Sequence, residues 1–418
     1  MTLRAQHIAM LAAAIGDLAR LPAPADALLH QFFRRHPAMG QQDRAFVTEG
    51  VFAWLRRRRS LELLAGTTHP SKLALAVAVR ERGYSLRDLE PAISKADGEW
   101  VRGFKARLAT ELPPAVAADV PDWLWERLGA AYGDEERSAL TRAWLAPAPL
   151  DLRINPLKTT REAVRATLAA AGIAAEPTPY SPLGLRIAGR PALARHPLQV
   201  EGAIEVQDEG SQLVGYLVAP KRSDMVVDFC AGAGGKTLLL GALMRSQGRL
   251  YAFDIVDKRL ANLKLRLKRS GLSNVHPQLI ASERDAKVKR LAGKIDRVLV
   301  DAPCTGFGTL RRNPDLKWRQ SDAGPAELVA KQRAILAAAA TMVKPGGRLV
   351  YATCSVLPEE NEAIVDEFLA THPGFALGDA AAELARAGIA LDTGPTLKLL
   401  PHRHQCDGFY AAVLDRSG

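Results

Sequence analysis

Three stretches of different hydrophobic patterning follow one another along the chain. Over residues 1–140, alanine, leucine and arginine recur at helical spacing and β-branched runs are scarce, which predicts an all-helical domain. Residues 141–220 hold short apolar runs around one helical stretch, which is typical of a small α+β module. Over residues 221–418, β-branched runs alternate with amphipathic stretches, which predicts βαβ units, a parallel sheet and hence an α/β fold.

The predicted strands indicate which residues lie at the edge of the sheet. In an open α/β sheet, ligands bind beyond the carboxyl ends of the parallel strands. In the module, Thr159 and Glu162 have capping-box spacing and start a predicted helix that ends near residue 171. The predicted strands are 151–155, 184–188 and 203–207 in the module, then 225–229, 249–255, 276–280, 298–300, 348–353 and 408–414.

A glycine-rich loop joins the first strand of the third stretch to its helix. It reads Cys230, Ala231, Gly232, Ala233, Gly234, Gly235 and Lys236. A phosphate-binding P-loop needs a glycine where Cys230 stands, and the dinucleotide fingerprint needs one at Thr237. The remaining interpretation is a turn that lets backbone approach a ligand closely, with a tight turn that binds nothing as the alternative.

An acidic residue, Asp254, ends the next predicted strand. An acid at this position can accept hydrogen bonds from a ribose diol. S-adenosylmethionine carries a ribose and a carboxylate but no phosphate, so it fits this loop better than a nucleotide does. The helix predicted over 257–270 carries basic residues that we interpret mainly as a solvated face: Lys258, Arg259, Lys264, Arg266, Lys268 and Arg269.

Three of the four cysteines lie at predicted strand ends, two of them in the strings Asp301-Ala302-Pro303-Cys304 and Tyr351-Ala352-Thr353-Cys354-Ser355. Cys230 and Cys406 complete the set, which has neither the density of a disulfide scaffold nor zinc-site spacing. We therefore expect a reducing, cytoplasmic setting and no metal. Two thiols beside a carboxyl group suit covalent chemistry on an electrophilic ring, such as thiolate addition to carbon 6 of cytosine before methylation at carbon 5.

The charge balance points to a polyanionic partner. The chain has 418 residues and a formal net charge of +11, which favours nucleic acid but does not require it. No apolar run reaches the roughly 18 residues that a membrane span needs, so we expect no membrane partner. The stretch from Thr309 to Trp318, rich in basic residues, is either an RNA contact or an ordered lid packed on the sheet.

These strings resemble those of the RsmB/Nop/Sun family of RNA cytosine-5 methyltransferases, especially its RsmB members. The likeness runs from about residue 121 to the end and includes 152–155, 206–208, 311–318, 351–361 and 407–409. It implies a class I (Rossmann-like) methyltransferase domain over 221–418, with S-adenosylmethionine as donor and RNA, expected to be 16S ribosomal RNA, as acceptor. Residues 1–140 resemble a NusB-like RNA-binding domain loosely, and residues 141–220 would be an RNA-recognition module.

The resemblance also implies roles for individual residues. Cys354 would be the nucleophile and Cys304 would assist product release, while Asp301 and Lys236 match positions that support catalysis. The loop 230–236, Asp254, Arg259 and Asp301 match the surroundings of the cofactor. The family has an acid near the adenine, and ungapped counting puts Ser282 there, with Glu283 or Asp285 as substitutes in a shifted loop. The family also usually has Ala-Ala-Pro-Gly-Gly where this chain has residues 231–235.

Two other functions remain open at this point. One is a non-catalytic RNA-binding factor of ribosome assembly that kept the fold. The other is a DNA cytosine-5 methyltransferase with Cys304 as its nucleophile. We expect a monomer. The sequence leaves open which cytosine is modified, whether naked RNA or an assembling particle is bound, and what the helical domain does.

Overall fold

The computed structural model describes residues 3–418, and the chain divides into two units. The first takes in the described residues up to Pro147 together with Leu310–Asp322. The second comprises Ala148–Thr309 and Ala323–Gly418. Within residues 3–418, none of the helices combines the length and the apolarity that a membrane crossing needs.

The first unit is helical, as its patterning predicts. Leu11 and Ile15 of one helix and Trp54 of another are almost fully buried in its core. Gly133, at φ +71°, marks a kink inside the longest helix. The helices are α1 (Ala5–Leu18), α2 (Ala25–Arg35), α3 (Gln41–Arg56), α4 (Arg58–Ala65), α5 (Pro70–Arg80), α6 (Leu86–Leu89), α7 (Lys95–Arg107), α8 (Pro114–Ala117) and α9 (Asp122–Trp144).

The second unit begins with a four-stranded antiparallel sheet in the order β2-β3-β1-β4. Thr160, not Thr159, caps its main helix, because the Thr160 side chain accepts the hydrogen bond from the amide of Ala163. The short strand β2 was not predicted. The elements are β1 (Leu150–Ile154), α10 (Arg161–Ala170), β2 (Ala175–Pro177), β3 (Gly184–Ile187), α11 (Pro197–Val200) and β4 (Ile204–Val206).

The rest of the second unit alternates strands and helices. Its helices are α12 (Glu209–Val218), α13 (Gly235–Leu243), α14 (Asp257–Ser270), α15 (Ala286–Lys289), α17 (Gly324–Met342), α18 (Glu362–Thr371), α19 (Ala380–Arg386) and α20 (Pro401–His404), while α16 (Leu316–Arg319) lies in the segment that belongs to the first unit. Its strands are β5 (Met225–Asp228), β6 (Arg249–Asp254), β7 (Val275–Leu279), β8 (Ile295–Asp301), β9 (Val343–Thr353), β10 (Phe375–Leu377), β11 (Leu397–Leu399) and β12 (Phe409–Arg416).

These strands form one sheet in the order β10-β12-β9-β8-β5-β6-β7, with β11 paired to β12. The five strands from β9 to β7 are parallel, and β12 is antiparallel to β9. This is the Rossmann-like fold that the patterning and the resemblance predict. The strand order changes direction between β8 and β5, and in folds of this kind ligands bind beyond the carboxyl ends of the strands at such a point.

The segment Leu310–Asp322 leaves the second unit after the loop that carries Cys304 and belongs to the helical unit. Trp318 donates its indole hydrogen to the carbonyl of Leu55 at 2.6 Å, and the Lys317 ammonium donates to the carbonyl of Arg56 at 3.0 Å. Lys317 is 1% exposed, so it is not available to a phosphate in this structure. The prediction of a lid packed on the sheet was therefore wrong.

Candidate functional site

The two cysteines that follow strands meet at the edge of the sheet. Strands β8 and β9 are parallel neighbours, and Asp301 lies opposite Ala352 in their register. Cys304 and Cys354 therefore leave the sheet at the same height, although 50 residues separate them along the chain. Their Sγ atoms are 3.4 Å apart, close enough for one thiol to donate a hydrogen bond to the other sulfur.

The two sulfurs are not equivalent. The hydrogen bond with Cys354, followed by burial, raises the pKa of Cys304 well above its usual value. Cys304 therefore holds its proton more firmly than an ordinary cysteine does. Either sulfur can be the donor at this distance, and an S–H group that donates stabilises negative charge on the sulfur that accepts.

Lys236 and Asp301 form a largely buried ion pair beside the thiols. The Lys236 Nζ atom lies 2.8 Å from Asp301 Oδ2, and the lysine side chain is 9% exposed. Burial by itself lowers the pKa of Lys236, but the charge and hydrogen bond of Asp301 outweigh it, so the net shift is upward. The same ammonium lies 5.1 Å from the centre of the Phe409 ring, within cation–π range. A stable positive charge is thus fixed beside the sulfurs.

A buried carboxylate, Glu360, connects the two cysteine loops. It accepts hydrogen bonds from the amide and hydroxyl of Thr305, at 2.9 and 2.6 Å, and from the hydroxyl of Ser355. Gln332 of α17 donates to the same carboxylate at 3.0 Å. Since Thr305 and Ser355 directly follow Cys304 and Cys354, Glu360 fixes the separation of the thiols. The sequence pattern gave no signal for this role.

The glycine loop lies at the carboxyl end of β5 and needs its glycines. Gly232 and Gly234 have φ of +57° and +86°, a region that side chains disfavour. A Cβ on Gly234 would lie 2.1 Å from Leu263 Cδ1, whereas the space beside Gly232 is open. Cys230 begins the loop, and burial raises the pKa of its thiol well above the usual value, so it stays protonated. Gly235 begins α13, which brings Lys236 to the active cleft.

Asp254 ends β6 and faces this loop, as the sequence predicts from its position. Its Oδ2 accepts from the amide of Gly232 at 2.9 Å and its Oδ1 from the amide of Val256 at 2.8 Å. A carboxylate has further lone pairs, so both bonds leave it able to accept from a diol. Arg259 lies 3.8 Å from Asp254 Oδ2 and is 60% exposed, so their pairing is loose.

Ser282 and Asp285 lie in the turn after β7, and both are engaged in local backbone bonds. Asp285 accepts from the amides of Ala281 and Lys287, each at 2.8 Å, and caps α15. These bonds lower the pKa of Asp285. The Ser282 hydroxyl accepts from the amide of Arg284 at 3.2 Å, and Glu283 pairs with Arg284. A role of Ser282 or Asp285 toward adenine stays a prediction.

Sequence reasoning missed two residues at this edge. Asp228 ends β5, is 1% exposed and accepts from the Thr237 hydroxyl at 2.6 Å. Its Oδ1 is buried and has no hydrogen-bond partner among residues 3–418. Burial raises the pKa of Asp228 to about 7. Ile255, directly after Asp254, is 64% exposed. The sequence does contain features that could have identified these residues, namely an acid just before the glycine loop and an apolar residue just after Asp254.

This group of residues matches the parts of S-adenosylmethionine. The orphaned Oδ1 of Asp228 suits an ammonium group, Asp254 suits a ribose diol, and the exposed Ile255 suits the face of an adenine. The open space at Gly232 leaves room for a ligand against the backbone. No group of three or more potential metal ligands occurs in the part of the chain that the structure describes.

Comparison with known proteins identifies the family to which the chain is similar. Residues 215–415 match the family described as 16S rRNA methyltransferase RsmB/F, and residues 120–193 match its ferredoxin-like domain. A protein of Synechocystis named "Probable ribosomal RNA small subunit methyltransferase B" is 33% identical over 96% of this chain and 97% of its own length. Ribosomal RNA small subunit methyltransferase B of Sodalis glossinidius is 32% identical over 90% of each chain.

A solved structure has the same fold. The crystal structure of PH0851 superposes with a TM-score of 0.79 at 27% identity and covers 100% of both chains. The identity to the Synechocystis and Sodalis proteins extends over 96% and 90% of this chain. The chain therefore belongs to the RsmB/F methyltransferase family, and S-adenosylmethionine is its methyl donor.

Proposed function

We propose that this protein methylates carbon 5 of a cytosine in small-subunit (16S) ribosomal RNA through a covalent bond between Cys354 and carbon 6 of the base. The observation that carries the proposal is the thiol pair, in which the Sγ atoms of Cys304 and Cys354 lie 3.4 Å apart. The names of the relatives support ribosomal RNA as the substrate. We further propose that residues 1–140 and 141–220 act as RNA-holding domains and that the reaction takes place in the cytoplasm.

The proposed reaction starts with the Cys354 thiolate. It adds to carbon 6 and makes carbon 5 nucleophilic, because the new bond turns the ring into an enamine. Bound S-adenosylmethionine supplies an electrophilic methyl group. The electron pair of the enamine would then form the bond to that methyl group while the methyl–sulfur bond of the donor breaks and a neutral thioether leaves, so carbon 5 would carry both a methyl and a hydrogen.

In the proposed complex, the Lys236–Asp301 pair forms hydrogen bonds with the polar edge of the base. In the proposal, the Asp301 carboxylate accepts from the exocyclic amine, and the Lys236 ammonium donates toward N3, where negative charge develops. A fixed charge in a dry cleft is worth more than the same charge in water. The upward pKa shift of Lys236 keeps this donor charged throughout the physiological range.

Product release needs the carbon-5 proton and the carbon–sulfur bond to be lost together. The proton passes to a water molecule, the pair of the carbon–hydrogen bond forms the double bond between carbons 5 and 6, and the pair of the carbon–sulfur bond leaves with Cys354 as a thiolate. Cys304 keeps its proton in this structure because its pKa is raised, so its S–H group stabilises the departing thiolate through the same hydrogen bond. The DNA methyltransferase alternative requires attack by Cys304 instead of Cys354, so variants of the two cysteines distinguish the two reactions.

Two single substitutions test these roles. Cys354→Ala should abolish transfer of labelled methyl groups to 16S RNA, while Cys304→Ala should accumulate a protein–RNA adduct that survives denaturing electrophoresis. An adduct in Cys354→Ala, or none in Cys304→Ala together with methylation by Cys354→Ala, would reverse the assignment. Cys406→Ala is the matched control, since Cys406 lies buried in the core.

The position on RNA needs a separate measurement. Bisulfite sequencing of 16S RNA from a deletion strain should show one cytosine that loses its protection and regains it on complementation with the wild-type chain. Complementation by Cys354→Ala should fail. If the mutant chain restored assembly of the small subunit without restoring the modification, a non-catalytic role as assembly factor would be favoured.

A further inference from the structure

Two arginines hold the glycine loop from outside. Arg153 of β1 donates to the carbonyl of Gly235 at 2.5 Å and to the side chain of Gln207. Arg266 of α14 donates to the carbonyl of Ala233 at 2.7 Å. The two guanidinium groups therefore fix the Ala233–Gly234 and Gly235–Lys236 peptide planes, one just before and one just after the segment at Gly234, whose φ is +86°.

Both arginines are themselves held firmly. Arg153 is 4% exposed, and although burial lowers the pKa of Arg153 to about 10, it remains charged at neutral pH. Arg266 donates from Nε and Nη2 to Glu205 Oε2 at 3.1 and 2.9 Å. Paired bonds of this kind fix geometry as well as adding energy. The expectation of a solvated face on α14 was therefore wrong for Arg266.

The four-stranded module is tied to the same helix. Asn155 donates its amide hydrogen to the carbonyl of Ser270 at 2.8 Å, and Lys158 donates to the carbonyl of Arg269 at 2.6 Å. These are carbonyls of the last turn of α14, where such donors are stabilising. The module is thus attached firmly to α14. Arg153 of β1 and Arg266 of α14 therefore lie at fixed positions beside the loop.

A glycine loop is costly to order. Gly232 and Gly234 lose more backbone freedom on ordering than other residues would. If the loop took its shape only when a ligand bound, that entropy would be subtracted from the affinity. A loop already held by charged donors needs no such ordering.

We propose that Arg153 and Arg266 are positioning residues that hold loop 231–235 in its binding shape before S-adenosylmethionine arrives. The ferredoxin-like module thereby supports cofactor binding in addition to any contact with RNA. The proposal rests on the proposed function, in which this loop is the cofactor site. Neither arginine touches the reacting atoms in this mechanism, so the loss should appear in cofactor affinity rather than in the chemical step.

Arg269 provides a matched control on the same helix. It also donates to Glu205, from Nε at 3.2 Å and Nη2 at 3.0 Å to Oε1 and from Nη2 at 3.1 Å to Oε2, but within residues 3–418 it makes no hydrogen bond to loop 231–235. Arg266→Gln and Arg269→Gln therefore remove the same charge and similar pairing with Glu205. By calorimetry on the full chain, Arg266→Gln should weaken S-adenosylmethionine binding roughly tenfold, the loss expected for one charge-assisted hydrogen bond, and Arg269→Gln less than about twofold.

A second readout needs no cofactor. Amide hydrogen exchange in the ligand-free chain should be faster over residues 231–237 in Arg266→Gln than in Arg269→Gln. Under saturating cofactor, kcat of Arg266→Gln should return to within about twofold of wild type, while KM for the cofactor stays raised. Arg153→Lys keeps the buried charge but loses the planar guanidinium whose Nη1 donates to both Gln207 and the Gly235 carbonyl, and it should show the same pattern as Arg266→Gln.

The outcomes separate the two proposals. Equal cofactor affinity and equal loop exchange in Arg266→Gln and Arg269→Gln would overturn the positioning role while leaving the methyltransferase assignment intact. A fall in kcat at saturating cofactor with unchanged affinity would also overturn it. A wild-type chain that failed to bind S-adenosylmethionine would remove the assigned function and this proposal together.

Discussion

Two buried lysines, one in each unit, have opposite electrostatic character. Lys236 has Asp301 at 2.8 Å, and its pKa is shifted upward despite burial. Lys317 donates to the carbonyl of Arg56, and burial lowers the pKa of Lys317 to about 7. Asp119 opposes that shift, while the neighbouring arginines 56 and 57 add to it. A dedicated carboxylate thus distinguishes the lysine of the cleft from the lysine of the helical core.

The difference shows what burial alone means for a charged residue. Burial without a close countercharge pushes lysine toward its neutral form, which is a cost that the surrounding fold must offset. Burial with a countercharge preserves a cation where water is excluded, which is useful for chemistry. The two lysines look equally suggestive in the sequence, in Gly-Gly-Lys-Thr and in Asp-Leu-Lys-Trp. Only their partners distinguish them.

The largest expected effect comes from removing the paired lysine. Lys236→Met should lower kcat for methyl transfer roughly 100-fold or more, because it removes a fixed donor from the cleft and leaves Asp301 without its partner. Steady-state kinetics with 16S RNA would measure this. Lys317→Met is the counterpart and should stay within about twofold of wild type, once its fold is verified by circular dichroism. Equal losses in the two variants would contradict the comparison.

A smaller effect is expected from Glu360→Gln, which weakens the link between the cysteine loops. The carboxylate accepts from Thr305, Ser355 and Gln332, and an amide replaces one acceptor by a donor. We expect roughly a tenfold loss in kcat, the effect of about one lost charge-assisted hydrogen bond. We also expect slower formation of a Cys304–Cys354 disulfide with diamide, followed by mass spectrometry, because the sulfurs are no longer held 3.4 Å apart.

The matched control for that variant is the nearby Glu362→Gln. Glu362 is partly exposed and pairs with Lys398 at 2.9 Å, and pairs of this kind contribute little. Its rates of methylation and of disulfide formation should stay near those of wild type. If Glu360→Gln oxidised as quickly as Glu362→Gln, the carboxylate would not set the separation of the thiols.

The smallest effect is on the pH dependence of stability. Between about pH 7 and 10.5 the folded chain holds Lys317 neutral, because its pKa is lowered, while the unfolded chain holds it protonated, so this residue makes stability rise with pH. The slope is at most about 1.4 kcal/mol per pH unit. Lys317→Met should remove that rise in urea unfolding from about pH 7 to about pH 9. Identical slopes in wild type and variant would mean that Lys317 is charged in the folded state.

The cysteine pair could be predicted from the sequence because strand ends are local features. Apolar runs before Asp301 and Thr353 identify neighbouring strands, and parallel pairing brings the residues after each strand to one edge. Asp254 was likewise expected from its place at the end of β6. Glu360 could not be found this way, because its role depends on loops separated by 55 residues along the chain.

Local sequence patterns also do not predict which charged side chains form ion pairs or to which structural unit a segment belongs. Arg266 has the spacing of a solvated helix face, but Glu205, from a strand 61 residues earlier, binds it. Similarly, the stretch around Trp318 has the composition of an RNA-binding loop. Its indole and the Lys317 ammonium instead bond to backbone carbonyls at the end of α3. Tertiary contacts between distant segments determine which partners these side chains have, and the periodicity of the sequence does not encode those contacts.

The inserted segment Leu310–Asp322 has a consequence for how this architecture can be rebuilt or inherited. Because the helical unit is completed by residues that come after Cys304 in the chain, the unit is discontinuous. A cut after Pro147 would not release an independent catalytic half, since it would leave Leu310 and Trp318 without the apolar surroundings they have here. Chimaeras between relatives that keep the helical unit intact must therefore exchange both chain segments at once.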